Sequence, residues 1–378
     1  MSDVVIAGYA RSPFHLAHKG ALAKVRPDDL AASTILGLIE RTGVNPDDIE
    51  DLLMGCAFPE GEQGFNIARL VVLLADLPLG IGGMTLNRFC GSSMSSIHYA
   101  AGQIACGAGE VFIAAGVESM SRVPMTGFNP MPNPALAAKS AAYVGMGDTA
   151  ENVAKKYGLS REEQEMFAVK SQEKAAAAIE AGKYKDEIVP YTLPDGTVVD
   201  ADGTPRPGTT AEALAGLKLA FDENGTVTAG TSSPLTDGAT AVLVCSADYA
   251  AKNNLKVMAR IKSMAISGCA PEIMGIGPVG ASQKALERAG LTIDDIDIVE
   301  LNEAFASQSI ATVRDLGIDE AKLNVDGGAI AIGHPLGATG ARIVGKAAAL
   351  LQREGKKYSL STQCIGGGQG IATILENA

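Results

Sequence analysis

Six cysteines and four histidines hold most of the nucleophilic and proton-carrying chemistry of this chain, and two of the cysteines stand in unusual company. Cys364 lies in "STQCIGGGQG", where consecutive glycines leave backbone N–H groups bare beside the thiol. A thiol among such donors can be a nucleophile or a proton carrier, and it can equally be a small core hydrophobe next to a tight turn. Cys90, in "NRFCGSSMSSIHYAAGQIACG", reads as a strand running into a helix. At a helix N-terminus the unpaired N–H groups and the dipole favour a thiolate. The turn would also expose the side chain as a nucleophile elbow does, although GxSxG is absent; a buried residue in a tight crossover is the competing reading. His334, in "NVDGGAIAIGHPLGATGARIVG", reads as following a strand and opening a helix. Of His15, His18, His98 and His334 it alone has a glycine frame (Gly333, Gly337, Gly340) that would leave an imidazole in a cleft. Asn302, in "ELNEAF", ends an apolar run, an awkward place for an amide unless it binds water or a ligand. Asn302 and Glu303 also fit helix caps.

Other chemistries fit less well. "GIGPVG" (275–280) matches the dinucleotide pattern GxGxxG, with Glu300 about 20 residues on. But "SGCAPEIM" separates those glycines from the preceding strand, and Pro278 occupies the turn. The cysteines form no CxxC, so no metal site is expected. A net charge of −12 disfavours nucleic acid and anionic membranes as partners, and an anionic ligand would need a local basic pocket. No apolar run approaches the roughly 18 residues of a membrane span. "MSDVVIAGYARSPF" lacks a basic segment followed by an apolar one, so the expected location is cytoplasmic, with free thiols.

The elements that must position these residues alternate between short β-branched runs and helical patterns, which predicts an α/β fold with mostly parallel sheet. Strands are expected in "DVVIAGYA", "IEDLLMGCAF", "GGMTLNRFC", "EVFIAAGVESM", "IDIVELNEA", "KLNVDGGAI", "YSLSTQC" and "GIATILEN". Helices are expected in "PDDLAASTILGLIERTG" and "PVGASQKALERAG", each with Pro near its start and Gly at its end. From about 121 to 230 the composition turns to Pro, Gly, Met and polar residues around two charged helix patterns, near 147–157 and 160–182. A loop-rich insertion of that length suggests a lid or a binding surface. "IERTGVNPDDIEDLLMGC" (39–56) aligns without gaps on "LERAGLTIDDIDIVELNE" (286–303), which points to a duplicated α/β unit. "TLNRFCGSSMSS" and "SLSTQCIGGGQG" each read as a strand ending in Cys, so the duplication is expected to place Cys90 and Cys364 at equivalent strand ends.

Taken in order, "NRFCGSS", "GVESMS", "TAGTSSPLTDGA", "NEAF", "GGAIAIGHPLGATGAR" and "CIGGGQG" resemble the thiolase family across nearly the whole chain. The resemblance implies a five-layered αβαβα fold of two similar halves. Residues 1–120, resumed at about 231–255, would form the first half, 256–378 the second, and 121–230 an inserted CoA-binding loop domain. It implies acyl transfer between 3-ketoacyl-CoA or acetyl-CoA and coenzyme A, with CoA as substrate and no permanently bound cofactor. By motif, Cys90 resembles the acylated nucleophile, His334 its activating base, and Cys364 the acid/base that protonates the leaving enolate. Asn302 resembles the residue whose bound water, with His334, forms one oxyanion hole; the N–H groups of Cys90 and Gly366 resemble the second. Arg206 matches a position near the nucleotide phosphates, Ser233 one near the pantetheine, and Met274 and Phe305 positions lining the acyl pocket. Gly145 stands where biosynthetic acetoacetyl-CoA thiolases resemble one another in carrying His. That implies a degradative 3-ketoacyl-CoA thiolase of fatty acid β-oxidation, the alternative being an acetyl-CoA acetyltransferase. The resemblance further implies a homodimer or homotetramer and, for some degradative members, a complex with a hydratase/dehydrogenase.

Overall fold

The protein, a computed structural model describing residues 3–378, is built from nine principal strands and eight principal helices. In chain order these are β1 (Val4–Arg11), α1 (Pro27–Thr42), β2 (Asp51–Gly55), α2 (Ile67–Leu74), β3 (Gly82–Leu86), α3 (Ser92–Ala105), β4 (Val111–Ser119), α4 (Met146–Tyr157), α5 (Arg161–Glu180), β5 (Thr236–Ser246), β6 (Ala259–Gly268), α6 (Gly277–Ala289), β7 (Ile298–Leu301), α7 (Ala306–Leu316), α8 (Leu336–Glu354), β8 (Tyr358–Ile365) and β9 (Gln369–Asn377). Local chemistry sets several boundaries. α1 and α6 begin with proline in the first turn and end at glycine, and α5 opens with a Ser160–Glu163 capping box.

The sheet order is β7-β8-β9-β6-β1-β5-β4-β2-β3. At its centre β1 and β6 pair through only Val5–Arg260 and Ile6–Ala259, a seam dividing two halves of one topology. In the first half β2 is parallel to β3 and β4, β4 antiparallel to β5, and β5 to β1. In the second, β7 is parallel to β8, β8 antiparallel to β9, and β9 to β6. Period-two alternation sends side chains to both faces of each half. Leu52 and Met54 face α1 and α2, while Leu53 faces the central helices. α6 and α7 cover the far face of the second half, and α3 and α8 pack against each other between the two sheets. This is the expected five-layered αβαβα arrangement.

The sheet is not mostly parallel as expected, since β1–β5, β1–β6, β4–β5, β6–β9 and β8–β9 are all antiparallel; three expectations about individual residues and segments also differ from the structure. "KLNVDGGAI" occupies the place of β3 in the second half, yet makes only one parallel bridge, Leu323 to Val299. Asn324, at φ 41°, takes over the ladder with its side chain, accepting from Leu301 N and donating to Leu301 O, both at 2.9 Å. His334 therefore follows a helical turn (Ala329–Ile332) rather than a strand. The third difference concerns the cysteines. Cys90 directly precedes α3, so its counterpart is the His334–Pro335 step before α8. Cys364, one residue short of the end of β8, corresponds to Val117 in β4, because Thr362 pairs with Leu301 as Ala115 pairs with Met54. The two cysteines are not equivalent; a shared strand–Cys–small-residue pattern imitated a symmetry that the topology assigns elsewhere.

The segment between β4 and β5 replaces the three-residue glycine turn that joins β8 to β9. It is fastened by buried charges. Arg11 of β1 pairs with Glu187 at 2.9 Å and Asp202 at 2.6 Å, and Lys346 of α8 reaches Glu187 at 3.1 Å. Breaking one partner of such a buried pair leaves an uncompensated charge, which costs about 3–5 kcal/mol.

Candidate active site

Cys90 stands on a sharp turn between β3 and α3. Phe89 adopts φ 44°, a left-handed conformation that a bulky side chain holds only under constraint. Asn87 Oδ1 accepts from Phe89 N at 2.8 Å, and Ser92 Oγ accepts from Arg88 N at 2.9 Å and donates to Phe89 O at 2.6 Å. The thiol is 7% exposed among Ala17, Ala57, Met120 and Leu336. The helix N-terminus does not win here. Burial pushes the Cys90 thiol up to about 12, Glu118 adds to the rise, and the N–H groups of Gly366 and of Cys90 itself pull against it. At neutral pH the resting group is a thiol, so a nucleophilic role requires a base.

The second half supplies the facing wall. Gln363 donates its side-chain amide to Cys90 O, pinning the end of β8 to the elbow. Cys364, fully buried, has its thiol pushed well up by burial and next by the proximity of Cys90. Gly366–Gly368 then turn the chain, with Gly367 and Gly368 at φ 80° and 86°, so glycine alone suits them. A Cβ on Gly366 would project between Met146 and Phe89, into the space above the thiols. Ala304, Phe305, Met274 and Cys364 share one apolar cluster, which Met146 borders.

His334 is held from both sides. Its N–H donates to Thr236 Oγ1 at 3.0 Å, and its Nδ1 lies 2.6 Å from Thr339 Oγ1. The single Thr339 hydroxyl proton goes to Pro335 O at 2.9 Å. The hydroxyl can therefore only accept from Nδ1–H, and this assigns the accepting lone pair to Nε2. Burial, with Arg342 acting in the same direction, holds the imidazole down to about 3, so it is neutral. Asn302 Nδ2 lies 3.3 Å from that Nε2, and Asn302 Oδ1 is buried without a protein partner, the setting in which an ordered water bonds. Glu303 accepts from Ser171 Oγ, Asn324 Nδ2 and Ile330 N, bracing the helical turn before His334.

Of the residues singled out from the sequence, Gly366 meets Cys90 through its N–H, and Cys364 lies near enough to Cys90 for each charge to be felt by the other. His334 and Asn302 meet each other, and Leu336, two residues beyond His334, packs on Cys90. Met274 and Phe305 share the Cys364 cluster, and Ser233 N bonds Ala304 O at 3.0 Å beside them. Arg206 sits apart on the exposed inserted segment, its N–H donating to Gln172 Oε1. Gly145 is the exposed N-cap of α4. The decoy GIGPVG packs instead of binding, with Gly277 pressed on the backbone of Gln369 and Gly370. Thr339, Gln363 and Glu118 were not anticipated. Glu118 accepts from Ala57 N, Phe58 N, Gln63 Nε2 and Gly337 N, so it ties the loop after β2 to the histidine loop.

The chain is similar to known proteins along its whole length. The family description "Thiolase, N-terminal domain" matches residues 4–248 and "Thiolase, C-terminal domain" matches residues 255–377. A 3-ketoacyl-CoA thiolase of Bacillus subtilis (strain 168) is 48% identical over 390 residues, covering 100% of both chains. One of Marinobacter nauticus is 49% identical over 385 residues, covering 99% of this chain and 98% of the relative. The crystal structure of human mitochondrial 3-ketoacyl-CoA thiolase in complex with CoA aligns with a TM-score of 0.92 at 38% identity. That alignment covers 100% of this chain and 98% of the other.

Proposed function

The chain belongs to the thiolase family, and from that premise we propose that it is a 3-ketoacyl-CoA thiolase. It is an acyltransferase that cleaves 3-ketoacyl-CoA with coenzyme A to acetyl-CoA and a shortened acyl-CoA. The observation that carries this reading is two neighbouring buried thiols, Cys90 beneath the Gly366 N–H and Cys364 beside it, with a neutral imidazole whose accepting nitrogen is Nε2.

His334 Nε2 takes the Cys90 proton as the sulfur attacks C3 of the substrate. Because burial disfavours both the free thiolate and the free imidazolium, proton transfer is coupled to formation of the C–S bond. The N–H groups of Cys90 and Gly366 bind the oxyanion at C3. The C2–C3 bond then breaks, and its electron pair enters the enolate of acetyl-CoA. The enolate oxygen is met by protonated His334 Nε2 and by a water on Asn302. Cys364 protonates C2. Incoming CoA thiol then attacks the acyl-Cys90 carbonyl, its proton passes to the Cys364 thiolate, and Cys90 leaves, recovering its proton from His334. One sulfur cannot be acyl carrier and proton donor at once, which is why two thiols are required.

On this reading the segment 121–230 binds CoA between the halves 1–120 (with 231–255) and 256–378. Ser233 serves the pantetheine, Met274 and Phe305 the acyl pocket, and Arg206 the phosphates. CoA is a substrate and not a resident cofactor. The degradative direction, in fatty acid β-oxidation, and a cytoplasmic location complete the reading; six free thiols suit a reducing compartment. We also place a second copy of the chain on the open edge of β3. There Phe65 is 93% exposed beside the outward leucines 70, 73, 74 and 79, and an unpaired edge with an apolar flank invites strand pairing.

The test is mass spectrometry after mixing with acetyl-CoA. An acetyl adduct on the Cys90 peptide is expected. Label confined to Cys56, Cys106, Cys245 or Cys269 overturns the assignment.

A further inference from the structure

Two glutamines flank the glycine turn 366–368, and both reach across to the Cys90 elbow. Gln363, in β8, donates its side-chain amide to Cys90 O. Gln369, the first residue of β9, accepts from Arg88 Nη1 at 3.1 Å. In the β8–β9 ladder Ile365 faces Gln369 and Gln363 faces Ile371, so one glutamine stands on each leg of the hairpin. Arg88 is itself fixed. Its N–H donates to Ser92 Oγ and its Nε to Ser95 Oγ, both at 2.9 Å, and Ser95 Oγ donates to Gly91 O at 2.9 Å. The guanidinium is thus braced on the first turn of α3 and directs a second donor to the other half of the molecule. Steric contact removes more freedom. A side chain on Gly91 would press on Ile365 and Ile371, and one on Gly370 would meet the backbone of Gly277 at the start of α6. The hairpin is wedged between two helix N-termini.

We propose that Arg88, acting through Gln369, is a positioning residue for the oxyanion hole: with Gln363 it holds the glycine turn where the Gly366 N–H serves the oxyanion beside Cys90. The proposal rests on the thiolase reading and deepens it, because that reading needs two N–H groups from opposite halves to stay in register. The sheet alone does not fix that register. At the seam β1 and β6 share only the pairs Val5–Arg260 and Ile6–Ala259, so a small rocking of one half on the other would open the hole. Gln363 ties one leg of the hairpin to the elbow backbone, and Arg88 ties the other leg to the elbow side chain. An arginine suits the task. Its planar guanidinium presents Nε and Nη1 in a fixed fork that serves Ser95 and Gln369 at once, whereas a lysine nitrogen is a single point. A hydrogen bond from a charged donor is also stronger than one between neutral groups.

Removing an oxyanion-hole donor costs about 10²–10³ in kcat, and a misplacement of about 1 Å costs about a hundredfold. Loss of the Arg88–Gln369 bond loosens one of two pins. A fall of at least about tenfold in kcat is therefore expected, with KM held within about twofold, since the hole acts on the transition state. The experiment measures kcat and KM for thiolysis of acetoacetyl-CoA in the full chain and in Gln369→Leu, Gln369→Glu and Arg88→Met. It also follows the rate of Cys90 acetylation by acetyl-CoA, by quenching and mass spectrometry. Arg88 and Gln369 are both half-buried, thermal unfolding registers any loss of fold, and Arg88→Met carries the test should Gln369→Leu not fold. Gln369→Leu and Arg88→Met should lower kcat and the acetylation rate together, because one hole serves both steps. Gln369→Glu keeps an acceptor facing Arg88 and should recover most of the rate. An unchanged kcat in Gln369→Leu and Arg88→Met, or a loss confined to KM, overturns the proposal. An equal loss in Gln369→Glu overturns it too, because the acceptor would then not be what matters. Absence of Cys90 acetylation in the unmodified chain would instead overturn the thiolase reading itself.

Discussion

Thr339→Val removes one hydroxyl and nearly nothing else, and it isolates the tautomer of His334. In the native chain Thr339 Oγ1 donates to Pro335 O at 2.9 Å and accepts from His334 Nδ1 at 2.6 Å, leaving Nε2 as the base. Valine keeps the branched shape and offers no acceptor. Nδ1–H would then be a buried donor without a partner, a condition that costs about 1–3 kcal/mol. The ring escapes that cost by moving its proton to Nε2, which is the tautomer unable to accept from Cys90. At 1.4 kcal/mol per factor of ten, the reactive tautomer falls by roughly five- to 150-fold, and kcat/KM should fall with it. The assay is thiolysis of acetoacetyl-CoA followed across pH, paired with thermal unfolding to register any loss of helix stability. Thr339→Ser restores the acceptor without the methyl group and should recover most of the rate. Full activity in Thr339→Val refutes the reasoning. An equal loss in the Ser variant refutes it too, because the methyl packing would then be what matters.

Three further outcomes follow from the same geometry. Cys364→Ser should still be acylated at Cys90 in the mass-spectrometric assay yet lose at least about a hundredfold in ketoacyl-CoA cleavage, since a hydroxyl holds its proton too tightly to shuttle it near neutral pH; near-normal turnover would reduce Cys364 to packing. Gln363→Leu, which frees Cys90 O from its side-chain donor, should lower kcat more than it raises KM, and an unchanged kcat would show that the elbow needs no such pin. Glu300 is raised from 4.5 to about 7, by burial first, with Arg342 and Lys346 opposing. A carboxyl raised on folding gives stability that is complete below about pH 4.5 and lost as pH climbs through about 7, so Glu300→Gln should flatten urea-unfolding stability between pH 5 and 8 by up to about 3 kcal/mol. An identical pH slope in that variant would exclude Glu300 as its source.

The residues that could be found from the sequence share a property: their type and their immediate neighbours already say something is odd. Cys364 beside three glycines, His334 inside a glycine frame and Asn302 at the end of an apolar strand each break a local expectation. Thr339 and Gln363 break none, because a threonine inside a helix and a glutamine near the end of a strand are ordinary until the atoms they touch are known. Glu118 bonds Gly337 across 219 residues, and no local pattern carries that distance. The strand expected at "KLNVDGGAI" failed for a related reason. Its apolar pattern and its position in the duplicated order were right for an edge strand, but the Asn324 side chain satisfies the Leu301 backbone groups that a continued ladder would have used. The alternation of strands and helices, by contrast, follows from apolar runs and proline-started, glycine-ended helices, which are local features, whereas the five layers came only with the family resemblance.

The duplication also explains how one site acquires unlike parts. The two central helices, α3 and α8, present Cys90 and His334 from matching N-terminal ends, so a symmetric scaffold delivers a nucleophile from one half and a base from the other. The matching strand ends diverge further. The end of β8 holds Cys364, and a three-residue glycine turn follows the strand, leaving the Gly366 N–H directed at Cys90. The end of β4 holds Val117 where β8 has Cys364, and next to it Glu118, whose carboxylate receives N–H groups from both halves; the long inserted segment follows instead. A thiol in place of the Glu118 carboxylate could not accept from Ala57, Phe58 and Gly337 N–H groups together and would leave buried donors unpaired. The half that supplies the nucleophile thus uses its strand end to hold the base's loop, and the half that supplies the base uses its own to complete the chemistry at the nucleophile.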